Sequence, residues 1–424
     1  MARKSKKLEE IIDVFDEDDY IDENELEELE IDCNFIYELE TNCFSITDKR
    51  DDSHITHSIE SVVLTIIFAL LANCNTFEQI YLFIFKHFKW LDKHIKYDNG
   101  IPSISTIKRV VSFINPKELE NICNETMKNF LTNNEPIYKN KDLVINDIKS
   151  MDGKTANSSN RISSKNGEIS KMNAMSIISI KNGNCEATEF IEDKTNEIPT
   201  GPELLKRINI ENCLVVFDAM STQTETIKYI VGKHGYYIAP VKGNQATLEQ
   251  NLKEYFEDTK LYKEVKENNY YCVNEKAHGN SEKREYIFTN DIKWLTNKDK
   301  WLGLKSIVVA KRTYINSKEK TVTDTRYFIT NIDASEVRFI GKGIREEWSI
   351  ENKLHFYLDT VFMEDKNRCF VENTQKNLNI LRKFCLSILK VFKKKTKLSM
   401  NNIRFNISMD FEYEIEKILK SLYE

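Results

Sequence analysis

The spacing of apolar residues predicts a helical region near the start of the chain. The longest apolar run, residues 62–72, is followed by FEQIYLFIFKHFKWLDKHI, in which apolar residues recur every three or four positions, the period of an amphipathic helix. A Gly-Pro turn then precedes a helix that begins at Ser103 or Ser105, and an Asn-Pro step ends it. Residues 46–135 are therefore predicted to form an all-α domain.

The pattern changes after residue 136 to short apolar runs rich in Val and Ile. These runs are LVIND, AMSIISI, CEATEFIE, CLVVFDA and YYIAPVK, and helical stretches separate the later ones. Three closely spaced strands followed by helix–strand–helix–strand predict an α/β fold, a mixed sheet with flanking helices. Residues 243–335 are predicted to be largely β, with two hairpins, and the chain returns to helix from residue 340.

Charge is distributed unevenly along the chain. Residues 9–40 contain sixteen acids and no Lys or Arg, and residues 1–8 contain four basic residues and no acid. Removing both segments from the net charge of −6 leaves residues 41–424 at +6. Residues 1–45 are predicted to be an acidic, disordered leader. The alternative is a mimic of DNA that shields a basic surface.

A basic segment near the end of the chain is a candidate for that surface. Residues 366–397 hold ten Lys or Arg and the single acid Glu372. The segment is either a solvated helix face or a surface that binds phosphates without sequence preference.

The nine cysteines are dispersed, with no CxxC pair, which indicates reduced thiols and neither a disulfide framework nor a zinc ribbon. No apolar stretch follows the basic start of the chain, as a secretory signal would require. The apolar run at residues 62–72 is shorter than the ~20 residues of a membrane span. We therefore expect a soluble protein of the cytoplasm.

Three acids stand out as candidate metal ligands. Asp152 and Asp218 follow strand-like runs, and Glu351 lies in a predicted helix. An acid at the tip of a buried strand faces the rim of the sheet, where ligands of α/β folds bind, although a turn or N-cap Asp is the alternative. Glu364 and Asp365 are interpreted as surface or capping residues.

Carboxylates are hard oxygen ligands that suit Mg²⁺ or Mn²⁺, whereas zinc would need a His/Cys cluster. His355 is either a phosphate contact or a packed helix histidine. The motifs GxxxxGK[ST], GxGxxG and GxSxG do not occur, which excludes the signatures of P-loop ATPases, dinucleotide-binding enzymes and α/β-hydrolases.

Six segments, in order along residues 46–390, resemble one known family. They are NGIPS, MDGKT, KTNEIP…PELL with VVFDAMSTQTE, YYIAPVKGNQ, HGNSEKRE, and IREEWSIENKLHFYLDTVFMEDKNR…NTQKNLNILRK. These segments resemble the DDE insertion-sequence transposases of the ISAs type, which include the H-repeat-associated proteins. Three positions depart from the pattern: Glu347 stands where the family usually has His, Phe356 where it has Trp, and Asn280 where it has Arg.

The resemblance implies a ribonuclease-H-like catalytic domain over residues 136–424, with a β-rich insertion at about 243–335. It also implies that Asp152, Asp218 and Glu351 form a metal triad that holds two Mg²⁺ or Mn²⁺ ions ~3.5–4 Å apart. The activity would be DNA cleavage at the ends of an insertion sequence, followed by strand transfer into a target. The partners would be terminal inverted repeats, target DNA and at least one further protomer.

Several basic residues are candidate DNA contacts. The candidate phosphate contacts are Lys242, Arg284, Arg345 and His355. The all-α domain, through Lys108 and Arg109, is predicted to help recognise the element ends, or alternatively to serve in dimerisation or packing. Three other functions stay open: a nuclease of this fold that cuts without joining, a non-catalytic DNA-binding protein derived from a transposase, and a scaffold.

Overall fold

The computed structural model describes residues 34–51, 53, 55–131, 135–162, 169–191, 197–277, 280–315, 320–366 and 369–423. Within these ranges the chain begins with the helices α1 (Asn34–Cys43), α2 (Ile59–Leu71), α3 (Phe77–Lys86), α4 (Phe88–Ile95), α5 (Ile104–Phe113) and α6 (Pro116–Lys128). The prediction of a helical region is confirmed. α5 begins after Ser103, whose side chain accepts a hydrogen bond from the Thr106 amide, so Ser103 and not Ser105 is the N-cap.

The predicted leader extends too far along the chain. Residues 34–43 are α1, and Phe35 and Leu39 on this helix are fully buried. The Phe35 ring stacks on Phe384 with ring centroids 6.3 Å apart. Apolar residues at helical spacing in NFIYELE therefore outweigh the acidic composition. Residues 1–33 lie outside the described residues.

A mixed sheet of nine strands forms the centre of the described chain. A short antiparallel pair, β1 (Tyr138–Lys139) and β2 (Val144–Ile145), precedes it. The sheet strands are β3 (Asp147–Ile162), β4 (Ile169–Ser179), β5 (Cys185–Ile191), β6 (Cys213–Phe217), β7 (Tyr236–Val241), β8 (Tyr270–Ala277), β9 (Asn280–Thr289), β10 (Ser306–Ile315) and β11 (Thr321–Thr330). Their order is β5-β4-β3-β6-β7-β11-β10-β9-β8. β3, β6 and β7 are parallel, and the other pairings are antiparallel.

The predicted order of three strands followed by helix–strand–helix–strand is confirmed, but the first predicted strand, LVIND, coincides with the short β2, and β3 begins only at its last residue, Asp147. The two intervening helices are α7 (Glu197–Leu205) and α8 (Thr224–Gly232). Apolar residues from both faces of the sheet are buried in two clusters: Val215, Phe217 and Ile227 belong to one, and Leu214 and Val216 belong to the other. Along β6, Val215 and Phe217 alternate with Leu214 and Val216, so both faces of this strand are covered, which explains why it is apolar at every position.

The segment predicted to be largely β contains two helices before its strands. They are α9 (Ala246–Glu257) and α10 (Thr259–Asn268). Leu248, Leu252 and Tyr255 on α9 are buried, at the spacing of one helix face. The two predicted hairpins are confirmed as β8–β9 and β10–β11. They extend the main sheet, because β11 pairs with β7.

The last part of the chain is helical, as predicted. Its helices are α11 (Val337–Glu346), α12 (Phe356–Thr360), α13 (Glu372–Lys393), α14 (Met400–Met409) and α15 (Phe411–Ser421). α13 contacts α2, α5 and α6 on one side and β4 and β5 on another. The predicted boundary near residue 135 falls between α6 and β1, and residues from Asn34 onward form one compact unit.

The helical part of the basic segment 366–397 is largely buried and is not a solvated face, whereas Lys394, Lys395 and Lys397 beyond the helix are exposed. α13 occupies most of it, and Arg382 and Lys383 on this helix are 1% and 5% exposed. Lys390 donates a hydrogen bond to the Gly183 carbonyl at 2.6 Å. These side chains are buried because α13 passes between the N-terminal helices and the sheet. Among the described residues, no helix combines the length and apolar character that crossing a membrane requires.

Candidate active site

Two aspartates are brought side by side by a pair of parallel strands. β3 pairs with β6 as far as Met151, which lies opposite Phe217. Asp152 and Asp218 are the next residues along the chain, so they lie adjacent where this pairing ends. β3 itself continues to Ile162. Asp152 therefore lies within a long strand, although the sequence predicted it at a strand end.

Glu351, the third candidate acid, lies on the helical segment that crosses the sheet. α11 packs against β3, β6 and β7, and a π-helical turn (Glu351–His355) precedes α12. Such wide turns occur frequently at functional sites. Within this turn, His355 Nδ1 lies 3.0 Å from Glu351 Oε2 and 3.9 Å from Asp152 Oδ2. The π-helical turn therefore lies beside β3, the strand that carries Asp152.

Asp152, Glu351 and His355 form a group whose potential ligand atoms all lie within 4.8 Å of one another. Burial raises the pKa of Asp152, and the charges of Asp218 and Glu351 raise it further, while His355 and the Gly153 amide oppose them. The hydrogen bond from His355 lowers the pKa of Glu351. The structure therefore brings Asp152 and Glu351 together with His355, whereas Asp218 lies outside this group but near enough for its charge to act on Asp152.

The chemistry of this group fits a divalent cation. A carboxyl group that is buried among like charges is costly to ionise, and a cation would offset that cost. His355 is 3% exposed, and its Nε2 atom has no hydrogen-bond partner among the described residues. Carboxylate oxygens suit Mg²⁺ or Mn²⁺, and the imidazole of His355 supports them through its hydrogen bond to Glu351. The burial of His355 places it in the acid group and not on a surface that meets DNA phosphates.

Glu347 is a fourth carboxyl group near this site, at a position where the sequence departs from the family pattern, and it was not among the predicted site residues. It lies one helical turn before Glu351, and burial raises its pKa to about 7. The charges of Arg326 and Lys242 oppose this shift, and those of Asp218 and Asp152 add to it. Its four-residue spacing from Glu351 was the available sequence signal, since residues four apart share a helix face.

A buried ionic network lies beside the acids and corrects the interpretation of Glu364 as a surface or capping residue. Glu364 is 3% exposed and accepts hydrogen bonds from Lys154 Nζ at 2.7 Å and from Asn379 Nδ2 at 2.6 Å. Lys154 also donates to Asp359 Oδ1 at 2.5 Å. Lys154 lies two residues after Asp152, on the same face of β3, and so ties that strand to the segment that follows Glu351.

The predicted phosphate contacts outside the acid group differ in their surroundings. Lys242 is exposed at the end of β7, close enough to Glu347 to lower its pKa. Arg345 forms an ion pair with Glu275 at 2.7 Å, and Arg284 donates to Glu282 at 2.8 Å. The two arginines are thus engaged by acids of the sheet, whereas Lys242 extends into solvent. Their contacts with DNA stay predictions.

Lys108 and Arg109 lie on the exposed side of α5. Lys108 Nζ is 3.4 Å from Glu78 Oε1 and 5.3 Å from the centre of the Phe77 ring. An exposed pair of this kind contributes little to stability. Both side chains are accessible, and their part in recognising DNA also stays a prediction.

Comparison with known proteins identifies the family. Residues 139–388 match the family described as "Transposase DDE domain", and residues 42–126 match "DDE_Tnp_1-associated". YbfL of Escherichia coli strain K12 is 30% identical over 356 residues, which cover 82% of this chain and 90% of YbfL. YhhI of the same strain, whose name describes it as an H repeat-associated candidate transposase, has the same identity and coverage.

Two further comparisons are more distant. YncI of Escherichia coli O157:H7, named as a candidate transposase, is 28% identical over 89% of this chain and 93% of its own length. Among solved structures, piggyBac transposase in a synaptic complex with hairpin DNA has a TM-score of 0.38 at 11% identity, over 92% of this chain and 79% of that one. A structural likeness this weak supports no conclusion. The family match extends over more than half of the chain and spans all three acids, so this chain belongs to the family of proteins with a transposase DDE domain.

Proposed function

We propose that this DDE transposase cuts and joins DNA at Asp152, Asp218 and Glu351. The observation that carries the proposal is the arrangement of these acids: Asp152 and Asp218 directly follow paired residues of two adjacent parallel strands, and Glu351 lies beside Asp152 on the helical segment packed over them. The strand order β5-β4-β3-β6-β7, in which β4 alone runs opposite to the others, supports a ribonuclease-H-like arrangement of the first five strands of the sheet.

Asp152, Asp218 and Glu351 would hold divalent metal through their carboxylate oxygens. When bound, Mg²⁺ or Mn²⁺ makes an attacking water more acidic and stabilises the charge on the leaving oxygen. His355 orients the Glu351 carboxylate toward Asp152 through its hydrogen bond at 3.0 Å. Lys154 holds β3 against the segment after Glu351. These contacts keep the acids in place before DNA arrives.

The proposed reaction consists of two in-line phosphoryl transfers. In the cleavage step, a water oxygen attacks a phosphorus atom at the element end, and the 3′-oxygen of the element strand leaves as a hydroxyl. In the joining step, that hydroxyl attacks a phosphodiester of the target, and a target 3′-oxygen leaves. Both steps exchange one phosphorus–oxygen bond for another, so one site can serve both. Lys242, exposed near the acids, is suited to bind a DNA phosphate.

The partners follow from this chemistry. The enzyme binds the terminal inverted repeats of its element and a target duplex, and the joining of two ends in one event requires at least two protomers. Because the substrate is genomic DNA and the similar proteins are bacterial, we infer that the enzyme acts in the cytoplasm.

Replacing each acid by its amide tests the proposed function. Asp152→Asn, Asp218→Asn and Glu351→Gln should each lower Mg²⁺-dependent cleavage of DNA that carries the element ends by roughly a thousand-fold or more. The reason is that metal stabilisation of the transition state is worth several kcal/mol, and about 1.4 kcal/mol corresponds to a factor of ten. DNA binding, measured separately, should persist.

The matched control is Asp142→Asn, the same change at an exposed residue before β2, which should retain full activity. An amide variant that cleaves at nearly the wild-type rate would remove that residue from the triad.

A further inference from the structure

We propose that Glu347 is a fourth acidic ligand of the divalent-metal site. This inference rests on the proposed function, because it adds a ligand to the site formed by Asp152, Asp218 and Glu351. It concerns a residue at which this chain departs from the family pattern.

The position of Glu347 supports the role. The Ser150 hydroxyl lies 3.3 Å from the Glu347 backbone carbonyl, to which it donates a hydrogen bond. Ser150 lies on β3, two residues before Asp152, and pairs with Val216 on β6, two residues before Asp218. Glu347 therefore lies over the two strands that carry the aspartates. Its spacing from Glu351 puts it on the same side of the helical segment.

The surroundings of the Glu347 carboxylate leave one oxygen without a hydrogen bond. The side chain is 11% exposed, and Oε2 is fully buried without a hydrogen-bond partner among the described residues. An unsatisfied buried carboxylate is costly. Asp152 and Asp218 increase that cost, because they are near enough for their charges to act on Glu347.

The two neighbouring cations compensate only part of this charge. Arg326 Nη1 lies 3.5 Å from Oε2 without the geometry of a hydrogen bond, and its guanidinium lies 5.0 Å from the centre of the Trp348 ring. Lys242 is exposed. Glu351, in contrast, is already hydrogen-bonded to His355. Glu347 thus supplies a carboxylate oxygen for a hard cation shared with the aspartates, and such cations take six or more oxygen ligands.

Manganese binding to the full-length protein tests this role without reference to catalysis. We would measure the number of bound Mn²⁺ ions and their affinities by titration calorimetry and by the electron paramagnetic resonance of free Mn²⁺. Glu347→Gln keeps the shape and removes the charge, and it should weaken at least one Mn²⁺ by about ten-fold or more, in the range seen when residues that support a metal site are lost.

Glu346→Gln is the matched control, because the Glu346 carboxylate is bonded to Ser349 and lies 3.3 Å from Lys353 Nζ. This variant should bind Mn²⁺ as the wild type does.

The melting temperature is a second measurement. A metal ligand and a purely structural residue predict opposite changes in the melting temperature of the metal-free Glu347→Gln variant. Without metal, Glu347→Gln should raise the melting temperature, because the substitution relieves repulsion among buried acids, and added Mn²⁺ should stabilise this variant less than the wild type. If Glu347 served only as an ion-pair partner of Arg326, the metal-free variant would melt lower and the increment from Mn²⁺ would be unchanged.

Asp152→Asn separates failure of this inference from failure of the proposed function. If Asp152→Asn loses Mn²⁺ while Glu347→Gln binds it with wild-type affinity, Glu347 is not a ligand and the triad stands. If Asp152→Asn also binds Mn²⁺ as the wild type does, the proposed metal site and the role of Glu347 are both wrong.

Discussion

At the residue scale, Asp152 is partly buried and Glu364 is almost fully buried, and the surroundings of these two carboxyl groups act on them in opposite directions. Burial and neighbouring acids raise the pKa of Asp152. Burial alone would also raise the pKa of Glu364, but Lys154 and Arg382 outweigh it and lower that pKa to about 2. Asp152 is therefore suited to bind a cation, whereas Glu364 already has its cations and stabilises the fold.

The first prediction at the residue scale concerns Lys154, the ion-pair partner of Glu364. Lys154→Met should lower the free energy of unfolding by about 3–5 kcal/mol, because the loss of one member of a buried ion pair leaves the other uncompensated. Urea denaturation would measure the change. Lys117→Met is the control, since its pair with Glu189 is exposed and 3.5 Å long, and it should cost less than about 1 kcal/mol. Equal costs for the two variants would contradict the buried network.

Acid sensitivity provides the second prediction. The pKa of Glu364 is about 2 in the folded protein and about 4.3 in an unfolded chain. Because the folded pKa is the lower one, the stabilisation is fully present above pH ~4.3 and is lost as the pH falls toward 2. The difference in unfolding free energy between wild type and Glu364→Gln should be roughly 3 kcal/mol at pH 6 and about half of that at pH 3. A difference that does not change with pH would show that Glu364 is not held ionised.

At the scale of elements, two glycines allow α11 to lie close to the sheet. A Cβ atom at Gly343 would come within 2.7 Å of Ile238 Cδ1 and 2.8 Å of Leu214 Cδ2. A Cβ atom at Gly341 would come within 2.7 Å of Tyr271 Cδ1. The height of α11 above the sheet in turn determines where the helical segment carries Glu351.

At the scale of elements, we predict the effect of Gly343→Ala on stability and on cleavage. In an exposed helix the change would stabilise by up to about 1 kcal/mol, but overpacking of a core typically costs 1–3 kcal/mol. We expect a net loss of stability and slower cleavage, because Glu351 moves with the helix. Thermal unfolding would measure the change in stability, and a cleavage assay would measure the change in rate. Gly232→Ala on α8 is the control, since no atom lies within 4 Å of its added Cβ, and stabilisation by both variants would contradict the close approach.

At the scale of the whole molecule, the C-terminal helices join the N-terminal helices to the site. Arg404 on α14 donates a hydrogen bond to the Leu70 carbonyl at 3.1 Å and another to the Val361 carbonyl. Leu70 belongs to α2, and Val361 directly follows α12. A chain that begins near residue 136 would expose the buried residues of α13 that face α2, α5 and α6. DNA recognition by the N-terminal helices must therefore be tested in the whole protein.

Reversing the charge of Lys108 and Arg109 makes that test. The double variant Lys108→Glu with Arg109→Glu should reduce protection of the terminal repeats in footprinting, because exposed basic residues position a protein on DNA phosphates. Melting temperature should be unchanged. Lys89→Glu with Lys93→Glu, on exposed positions of α4, is the control for a general loss of positive charge. Unchanged footprints for the α5 variant would favour a packing or dimerisation role for this region.

Local patterns in the sequence were sufficient for much of the architecture. The apolar spacing predicted the N-terminal helices, the strands β4 to β7 and both hairpins, because each of these elements buries a regular set of its own residues. The motifs MDGKT, VVFDAM and WSIEN led to Asp152, Asp218 and Glu351. In each case the signal lay within a few neighbouring residues, and it predicted the same element that the tertiary structure contains.

Other features depend on contacts between residues far apart in sequence, and only the tertiary structure decided them. The basic run of α13 looked like a surface, but the helices and sheet on either side of it bury Arg382 and Lys383. The sequence predicted Glu364 to be a surface or capping residue, but it is buried in an ion pair with Lys154, which lies 210 residues away along the chain. The pKa of Glu347 is raised because packing buries its carboxyl group and brings Asp152 and Asp218 near it. A sequence specifies which residues are charged, whereas burial and the distances between charges, which determine their chemistry, arise from packing.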